Sequence, residues 1–367
     1  MKILILTNMR PSVQQPYAGI FVLNQYEMLK TMGTFESVTL FSMERKFTGT
    51  AGSLIKYAGA FFRFIPYLFR RYQVVHVHFF YPFVLLGLLY KLFHRKSAVV
   101  VTFHGADVTF HIRSKAAQRF FSWAAQRSDY LISVSHDLSR VVTAKLGLVP
   151  HRVLCAGIDD KVFYKMNDVA KEYDFIFAGS FTHRKGADLF IEAIQLLNRT
   201  DLRICVAGAG IYLDGFKSLA NRYSIEVMQR QDQHQLRLLF NKSRFLVLPS
   251  RNEPFGLVVT EAMYCGTPVI VSRNGGVIEQ VAEGVNGFFI DPFSAAGIKG
   301  VLMKALAMPP ADYRDMAMNA LASNKEFSLK KVCQATTEIY QSLAVNGSAE
   351  SKRPPAGTAT KKHTLEP

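Results

Sequence analysis

Two carboxylates, Glu253 and Glu261, stand eight positions apart, directly after a strand that the apolar run 245–249 predicts. Glu253 falls on the loop after this strand, and Gly256 is placed to open a helix that carries Glu261. Backbone N–H groups at a helix start carry partial positive charge and suit an anion such as a phosphate. The two acids would then reach different parts of one ligand. Alternatively, one acid only stabilises the helix dipole and the other is solvated, and spacing alone leaves both interpretations open.

The residues around this pair resemble a known family. Glu253 and Glu261, followed by AMYCGTPVI at 262–270, are similar to the signature of the family-four retaining glycosyltransferases, which have the GT-B fold. The resemblance continues in the same order along roughly residues 1–345. Its other segments are AGIFV at 18–22, TFHGAD at 102–107, FAGSFTHRKG at 177–186, VAGAG at 206–210, NGGVIE at 274–279 and GVNG at 284–287.

The resemblance implies a binding site for a nucleotide-sugar donor. Glu261 would accept hydrogen bonds from the ribose hydroxyls, because a carboxylate can accept several at once. Glu253 would contact hydroxyls of the transferred sugar, and His104 the sugar near its sixth carbon. The implied donor-binding residues are Gly19, Ser180, Arg184, Lys185, Glu253, Phe255, Gly256, Leu257, Val258 and Glu261. The implied catalytic residues are His104, Lys185 and Glu253.

The same resemblance implies how the diphosphate is held. The amides of 255–257, together with Lys185, would bind it and stabilise the charge that develops as the sugar–phosphate bond breaks. Gly19 would let the first loop approach the phosphate closely, because glycine has no Cβ. Two positions depart from the family pattern. Ser180 stands where an arginine is usual, with Arg184 the candidate to replace it, and Ala18 precedes Gly19 where many members have a second glycine.

Neither a metal ion nor a cofactor is expected. The sequence contains no Asp-x-Asp, the motif that a metal-dependent transferase of the other major fold would use for its cation. Its four cysteines form no C-x-x-C pair, so no zinc site or disulfide framework is indicated. His76 and His78 share one face of a predicted buried strand, where core hydrogen bonds are commoner than metal ligation. The nucleotide sugar is a substrate, and the sequence does not separate UDP from GDP donors.

Twelve short apolar runs, separated by helix-patterned segments, must position these residues. Near-continuous apolar strands alternating with helices predict parallel sheets covered on both faces. The sequence therefore predicts an α/β protein of the GT-B class, with two doubly wound Rossmann-like domains facing each other across a cleft. The predicted strands cover 2–7, 37–41, 74–78, 98–103, 130–134, 152–155, 174–178, 203–207, 224–228, 245–249, 269–271 and 287–290.

The predicted domains follow from this pattern. Residues 1–165 form an acceptor-side domain, and 166–327 form the nucleotide-sugar-binding domain. The resemblance implies that a helix within 328–345 crosses back to the first domain. Residues 346–367 are rich in Ser, Thr, Pro, Ala and Lys and are expected to be disordered.

Composition narrows the class of protein and its partners. With 367 residues, 49% hydrophobic and 20% charged, the chain is not a mainly disordered one. The net charge of +16 is uneven, because residues 1–170 carry 21 basic and 9 acidic side chains. Such a surplus indicates an anionic partner, and no recognised nucleic-acid motif accompanies it. No signal peptide is recognised in MKILILTNMR, so a cytoplasmic protein is expected.

The basic surplus has a candidate location in the segment 52–72. Lys56, Arg63 and Arg70 recur at seven-residue spacing, so they are expected near one face of a helix, among aromatic residues. A basic and aromatic face of this kind suits the interface of an anionic membrane. The alternative is an ordinary core helix with solvated cations, and Pro66 argues against one uninterrupted helix. Membrane contact would place the protein on the inner face of the plasma membrane.

The leading functional hypothesis is a retaining, metal-independent hexosyltransferase. It would move a sugar from a nucleotide-diphosphate-sugar donor to a lipid-linked or glycan acceptor, in the synthesis of a cell-surface polysaccharide such as lipopolysaccharide. Two alternatives stay open: a GT-B nucleotide-sugar epimerase, which would need no acceptor, and a catalytically silent subunit that scaffolds a membrane assembly. The presence of Glu253, Glu261, Lys185 and His104 argues against the silent subunit.

Overall fold

The computed structural model describes residues 1–11, 18–43, 50–109, 112 and 114–346, except the side chains of 50–56 and 346. The strands are β1 Lys2–Thr7, β2 Ser37–Ser42, β3 Val74–His78, β4 Ala98–Phe103, β5 Tyr130–Ser133, β6 Arg152–Val153, β7 Tyr173–Ala178, β8 Ile204–Ala207, β9 Ile225–Met228, β10 Ser243–Leu248, β11 Val269–Ser272 and β12 Gly287–Ile290. The α-helices are α1 Ile20–Thr31, α2 Thr50–Phe64, α3 Phe80–Phe93, α4 Ala106–Thr109, α5 Lys115–Gln126, α6 His136–Leu146, α7 Ala187–Leu197, α8 Leu213–Ala220, α9 Gln233–Lys242, α10 Leu257–Tyr264, α11 Ala295–Leu306, α12 Pro310–Ser323 and α13 Leu329–Asn346. Short 3₁₀ helices cover Ile65–Phe69, His183–Lys185, Gly275–Glu279 and Lys325–Phe327.

The strands form two parallel sheets, one in each half of the described chain. The first sheet has the order β2-β1-β3-β4-β5-β6 and the second β12-β11-β10-β7-β8-β9. The central strands β3, β4 and β10 are buried along almost their whole length. This burial explains their near-continuous apolar sequences, because helices cover both faces of a parallel sheet. The predicted fold class is confirmed, and each of the twelve predicted strands is found with small shifts at its ends.

The last helix packs against the first sheet although the second sheet precedes it in the chain. The amide of Gln25 on α1 donates a 3.2 Å hydrogen bond to the Thr336 hydroxyl on α13. Further along α13, the Tyr340 hydroxyl lies 2.5 Å from Nδ1 of His76 on β3. Leu329, Cys333 and Tyr340 are buried in one apolar cluster with residues of β1 and β3. This docking ties the two halves of the chain together behind the cleft.

The segment 52–72 is divided rather than continuous. Helix α2 ends at Phe64, and Pro66 lies in the following 3₁₀ helix, so the chain turns there as a proline demands. Arg70 consequently lies outside the helix that carries Arg63, and the expected single basic face is wrong. Phe64 and Tyr67 stack with ring centroids 5.8 Å apart and belong to the core rather than to an exposed face. The side chain of Lys56 lies outside the described residues.

No helix in the described part of the chain is long and apolar enough to cross a membrane. The expected disordered tail 346–367 lies outside the described residues, apart from the backbone of its first residue, which ends α13.

Candidate active site

The loop that carries Glu253 runs from the end of β10 into α10. Gly256 directly precedes α10 with φ of 91°, a left-handed conformation that glycine adopts readily. A Cβ on Gly256 would lie 2.6 Å from Cγ1 of Val277, so no larger residue fits without movement. The amides of Phe255, Gly256 and Leu257 have no hydrogen-bond acceptor among the residues that the structure describes. Three N–H groups at the start of a helix therefore remain available to an anion.

Polar side chains from neighbouring segments hold this loop in place. The Gly276 amide donates a 2.8 Å hydrogen bond to the Glu253 carbonyl. The Gln280 amide donates a 2.5 Å bond to the Phe255 carbonyl, and Gln280 in turn accepts a 2.7 Å bond from the Thr260 hydroxyl. Thr260 and Gln280 belong to no motif that the sequence shows. Thr260 could have been noticed as a lone threonine within the apolar helix that also carries Glu261.

Lys185 is brought to Glu253 by a short 3₁₀ helix after β7. Gly186 follows with φ of 72°, and a Cβ there would lie 1.9 Å from the Pro249 carbonyl oxygen, so only glycine allows this approach. The ammonium group of Lys185 donates to Oε2 of Glu253, and the Ser250 hydroxyl donates to the same oxygen at 3.2 Å. The Lys185 and Glu253 side chains are 13% and 7% exposed, which makes this a nearly buried ion pair.

Glu261 lies half-buried on α10, near the Lys185–Glu253 pair. Burial raises the pKa of the Glu261 carboxyl from its usual 4.5 to about 7, and the Lys185 ammonium acts in the opposite direction. A carboxyl group gives up its proton more easily when hydrogen-bond donors face it. A ligand that offers hydroxyl groups to Glu261 would therefore favour its ionised form.

Arg184 and Ser180 flank Lys185 in the same wall. The guanidinium of Arg184 donates to the Asn252 carbonyl at 3.3 Å, which places it beside the loop that carries Glu253. Ser180 lies half-buried in the turn after β7. The segment 183–188 is fixed to the loop by Arg251, whose guanidinium donates two 2.7 Å hydrogen bonds to the Asp188 carboxylate. Sequence reasoning missed this clamp, since neither of its two residues belongs to a recognised motif.

The opposite wall comes from the first domain. His104 directly follows β4, and its ring packs against Phe21 and Phe79, with centroids 5.0 Å and 4.5 Å away. The His104 amide donates to the buried Asp107 carboxylate at 3.2 Å. Gly19 precedes α1 with φ of 69°, and a Cβ on it would lie 2.7 Å from Cβ of Met9. Gly19 and His104 thus reach the cleft from the ends of neighbouring elements.

The two walls touch beside the residues they carry. A Cβ on Gly105 would lie 2.2 Å from Cγ of Pro254, so the residues that follow His104 and Glu253 are in contact. The Ser135 hydroxyl, at the start of α6, donates a 2.5 Å hydrogen bond to the Pro254 carbonyl. The site therefore combines one ammonium group, three free amides, two carboxyl groups and one imidazole at the carboxyl ends of both sheets. Such a set can bind an anionic group next to a polyhydroxylated one.

The described part of the chain has no group of three or more His, Cys, Asp or Glu side chains arranged to hold a metal ion. The positive charge in the site comes from Lys185, from the neighbouring Arg184 and from the helix start.

Two Rossmann-like domains that meet at the carboxyl ends of their sheets define the class of GT-B glycosyltransferases. Two family models match this chain: Glycosyltransferase Family 4 over residues 34–162, and Glycosyl transferases group 1 over residues 160–322. The two models together cover residues 34–322, and the chain belongs to the family-four glycosyltransferases with the GT-B fold.

Similar proteins agree with this family. An uncharacterized glycosyltransferase of Methanocaldococcus jannaschii is 26% identical, over 93% of this chain and 99% of its own. The N-acetyl-alpha-D-glucosaminyl L-malate synthase of Bacillus anthracis is 26% identical, over 73% of this chain and 74% of its own. Among solved structures, Anabaena HepE in complex with UDP-glucose superimposes with a TM-score of 0.74. That match has 18% identity, over 93% of this chain and 100% of the other, and it shows the fold alone.

Proposed function

We propose that this protein is a retaining, metal-independent glycosyltransferase that moves a hexosyl group from a nucleoside-diphosphate sugar to a lipid-linked or glycan acceptor. The observation that carries the proposal is the cluster of Lys185, Glu253, Glu261 and the free amides of 255–257 on one wall of the cleft. Each part of the cluster matches one part of a nucleoside-diphosphate sugar, and His104 faces it from the other domain.

The diphosphate would bind at the start of α10. There the free amides and the Lys185 ammonium supply positive charge without a metal ion. An arriving phosphate would compete with Glu253 for Lys185, and Glu253 would then accept hydrogen bonds from sugar hydroxyls. Glu261 would accept two hydrogen bonds from ribose hydroxyls, a geometry that a carboxylate provides. Arg184 is proposed to lend further positive charge in place of the arginine that Ser180 replaces.

The reaction would exchange one bond for another at the anomeric carbon of the sugar. The bond from this carbon to the phosphate oxygen breaks as the bond to the acceptor oxygen forms on the same face. The leaving phosphate takes the acceptor's hydroxyl proton, so the products are a glycoside and a nucleoside diphosphate. Lys185 and the amides of 255–257 stabilise the negative charge that grows on the phosphate. His104 orients the sugar without forming a bond to it.

Two features support an acceptor at a membrane surface. Phe62 and Phe69 are 73% and 84% exposed on the first domain. Phe93, at the end of α3, is 65% exposed. It lies near Phe69, since the ring of the adjacent His94 is hydrogen-bonded to the Leu68 carbonyl at 2.8 Å. Between residues 45 and 106 the sequence contains no aspartate or glutamate. An exposed aromatic patch in a region without acidic residues fits the interface of an anionic membrane.

A panel of nucleotide sugars tests the proposed function. Purified protein is incubated with UDP- and GDP-sugars and a lipid-linked acceptor pool, and the release of nucleoside diphosphate is measured. UDP-glucose is the first probe, since the fold neighbour HepE is found in complex with it. We expect acceptor-dependent release with at least one donor, and release slower by about 10²-fold or more with Lys185→Ala. Release without any glycosylated product would favour a simple hydrolase. Conversion of a donor into a different nucleotide sugar without net release would favour the epimerase, and a donor that stays unchanged throughout the panel would favour the silent subunit.

A further inference from the structure

Two histidines of β3, His76 and His78, lie beside the candidate active site with no role assigned to them so far. They are 1% and 2% exposed, and their rings are 4.1 Å apart. His78 Nδ1 lies 3.2 Å from Nε2 of His104, the histidine that reaches the cleft, and the two rings stack at 28°. His78 is therefore the side chain that contacts the polar edge of His104 from behind.

A hydrogen bond between these two nitrogens requires one ring to donate and the other to accept. Burial lowers the pKa of His78 to about 3. Burial, and to a smaller extent electrostatic repulsion from the neighbouring His78, lowers the pKa of His104 well below its usual value. Both rings are consequently neutral at pH 7, and a neutral imidazole carries one N–H and one acceptor nitrogen. The direction of the bond fixes where both protons are.

The second nitrogen of His78 settles this direction. Nε2 of His78 is buried and has no hydrogen-bond partner among the residues that the structure describes. A buried N–H without an acceptor costs more free energy than an unused lone pair. The His78 proton therefore belongs on Nδ1, which donates to Nε2 of His104. His104 must then carry its own proton on Nδ1.

We propose that His78 is a positioning residue that holds His104 in the Nδ1–H tautomer, so that His104 presents an N–H donor to a hydroxyl of the donor sugar. The sugar contact rests on the proposed function, whereas the tautomer does not. Phe21 and Phe79 pack against the His104 ring and help to fix its plane. His78 would thus act on the reaction through His104 without touching the substrate.

His76 provides a control of matched burial. Its Nδ1 lies 2.5 Å from the Tyr340 hydroxyl and its Nε2 lies 2.7 Å from the Thr102 hydroxyl, so neither nitrogen reaches His104. Replacing His76 disturbs the same strand and leaves the His78–His104 hydrogen bond in place. A purely structural role of the buried histidines would make His76 and His78 variants behave alike.

Nitrogen NMR of the full-length, ¹⁵N-labelled protein without ligand tests the tautomer directly. Signals of His104 are assigned by their loss in His104→Gln. We expect a protonated Nδ1 and an unprotonated Nε2 in the wild type and in His76→Gln. His78→Phe, which keeps a ring but removes both nitrogens, should shift His104 toward the Nε2–H form. His78→Asn should preserve the wild-type tautomer, because its amide nitrogen can replace Nδ1 as donor. A protonated Nε2 in the wild type would overturn the proposal even if no variant folded.

Kinetics then connect the tautomer to the sugar. With UDP-glucose, or the panel's preferred donor, His78→Phe should lower kcat/KM about tenfold, the loss of one hydrogen bond, while His78→Asn restores it. Equal losses in His76→Gln and His78→Phe would overturn the positioning role. The two proposals fail separately: a wild-type protein with the expected tautomer but no transfer activity would contradict the proposed function and leave the tautomer established.

Discussion

Lys185 and Glu253 form an ion pair at the carboxyl end of the second sheet, with side chains 13% and 7% exposed. Opposite charges this far out of water cost desolvation free energy, which good geometry and further hydrogen bonds must offset. The Ser250 hydroxyl supplies one such bond to Glu253. In the proposed function, a phosphate at the start of α10 would offer Lys185 a second anionic partner, and the pair with Glu253 would hold Lys185 in place for the diphosphate.

Removing the lysine charge should act mainly on turnover. Lys185→Ala is expected to lower kcat by about 10²-fold or more, since the ammonium would stabilise charge that grows only as the sugar–phosphate bond breaks. Steady-state kinetics on the preferred donor separate kcat from KM. Lys217, on α8 and outside the cluster, provides the control variant Lys217→Ala. A Lys185→Ala protein that keeps its kcat would exclude the proposed role of this charge.

Glu261 should make the stability of the protein depend on pH in a defined window. Its folded pKa of about 7 lies above the usual 4.5, so its contribution to stability is complete below pH 4.5 and is lost as pH rises through 7. The full change is at most about 3 kcal/mol. We expect the Tm of the wild type minus that of Glu261→Gln to fall between pH 4.5 and 7. A difference that stays constant over this range would contradict the raised pKa.

Nucleotide binding should release the proton of Glu261. In the proposed site, ribose hydroxyls would donate to the ionised carboxylate, so a bound nucleoside diphosphate should lower its pKa and bind more tightly as the pH rises toward 7. Calorimetry of UDP binding at pH 6, in buffers of different ionisation enthalpy, counts the protons released. Because the phosphate also ionises near this pH, the wild type is compared with Glu261→Gln. Equal proton release by both proteins would argue against the ribose contact.

The sequence predicted the strands better than it predicted what packs between the domains. Continuous apolar runs locate buried parallel strands because helices cover both faces of each sheet. The resemblance supplied Glu253, Glu261 and Lys185 as candidates, and the structure brings them together. The contact of Gly105 with Pro254 joins residues far apart in sequence, and no local pattern encodes it. Likewise, alternation puts His76 and His78 on one face of β3 but does not reveal that His104 meets only one of them.

Membrane binding should depend on the exposed aromatic patch. We expect the double variant Phe62→Ser, Phe69→Ser to bind vesicles of phosphatidylglycerol at least about tenfold more weakly, since each ring loses favourable burial. The matched control replaces Ile211 and Met318, which are 80% and 52% exposed in the second domain. Sedimentation with vesicles at low and high salt separates the apolar from the electrostatic contribution to binding. Unchanged binding of the double variant, or equal binding of the wild type to neutral vesicles, would contradict the proposed surface.

Chelation should leave the reaction intact. In the proposed mechanism the counter-charges of the diphosphate are Lys185 and the amides at the start of α10, so no divalent ion is needed. Product formation is compared with and without EDTA, using the donor that the panel identifies. Strong inhibition that manganese or magnesium reverses would show that a metal ion supplies charge which these protein groups do not.

The anomeric configuration should be retained without a covalent intermediate. Retention by double displacement would need a carboxylate nucleophile. Glu253 is the acid of the motif nearest the expected sugar position, yet in the proposed donor complex its carboxylate accepts hydrogen bonds from sugar hydroxyls and from Ser250. Same-face attack, with the leaving phosphate taking the acceptor proton, needs no such nucleophile. An α-linked gluco-configured donor should therefore give an α-linked product, which the anomeric coupling constant reports. Mass spectrometry of protein quenched during turnover should find no sugar ester. An ester trapped on Glu253 would overturn this mechanism, and a β-linked product would overturn retention itself.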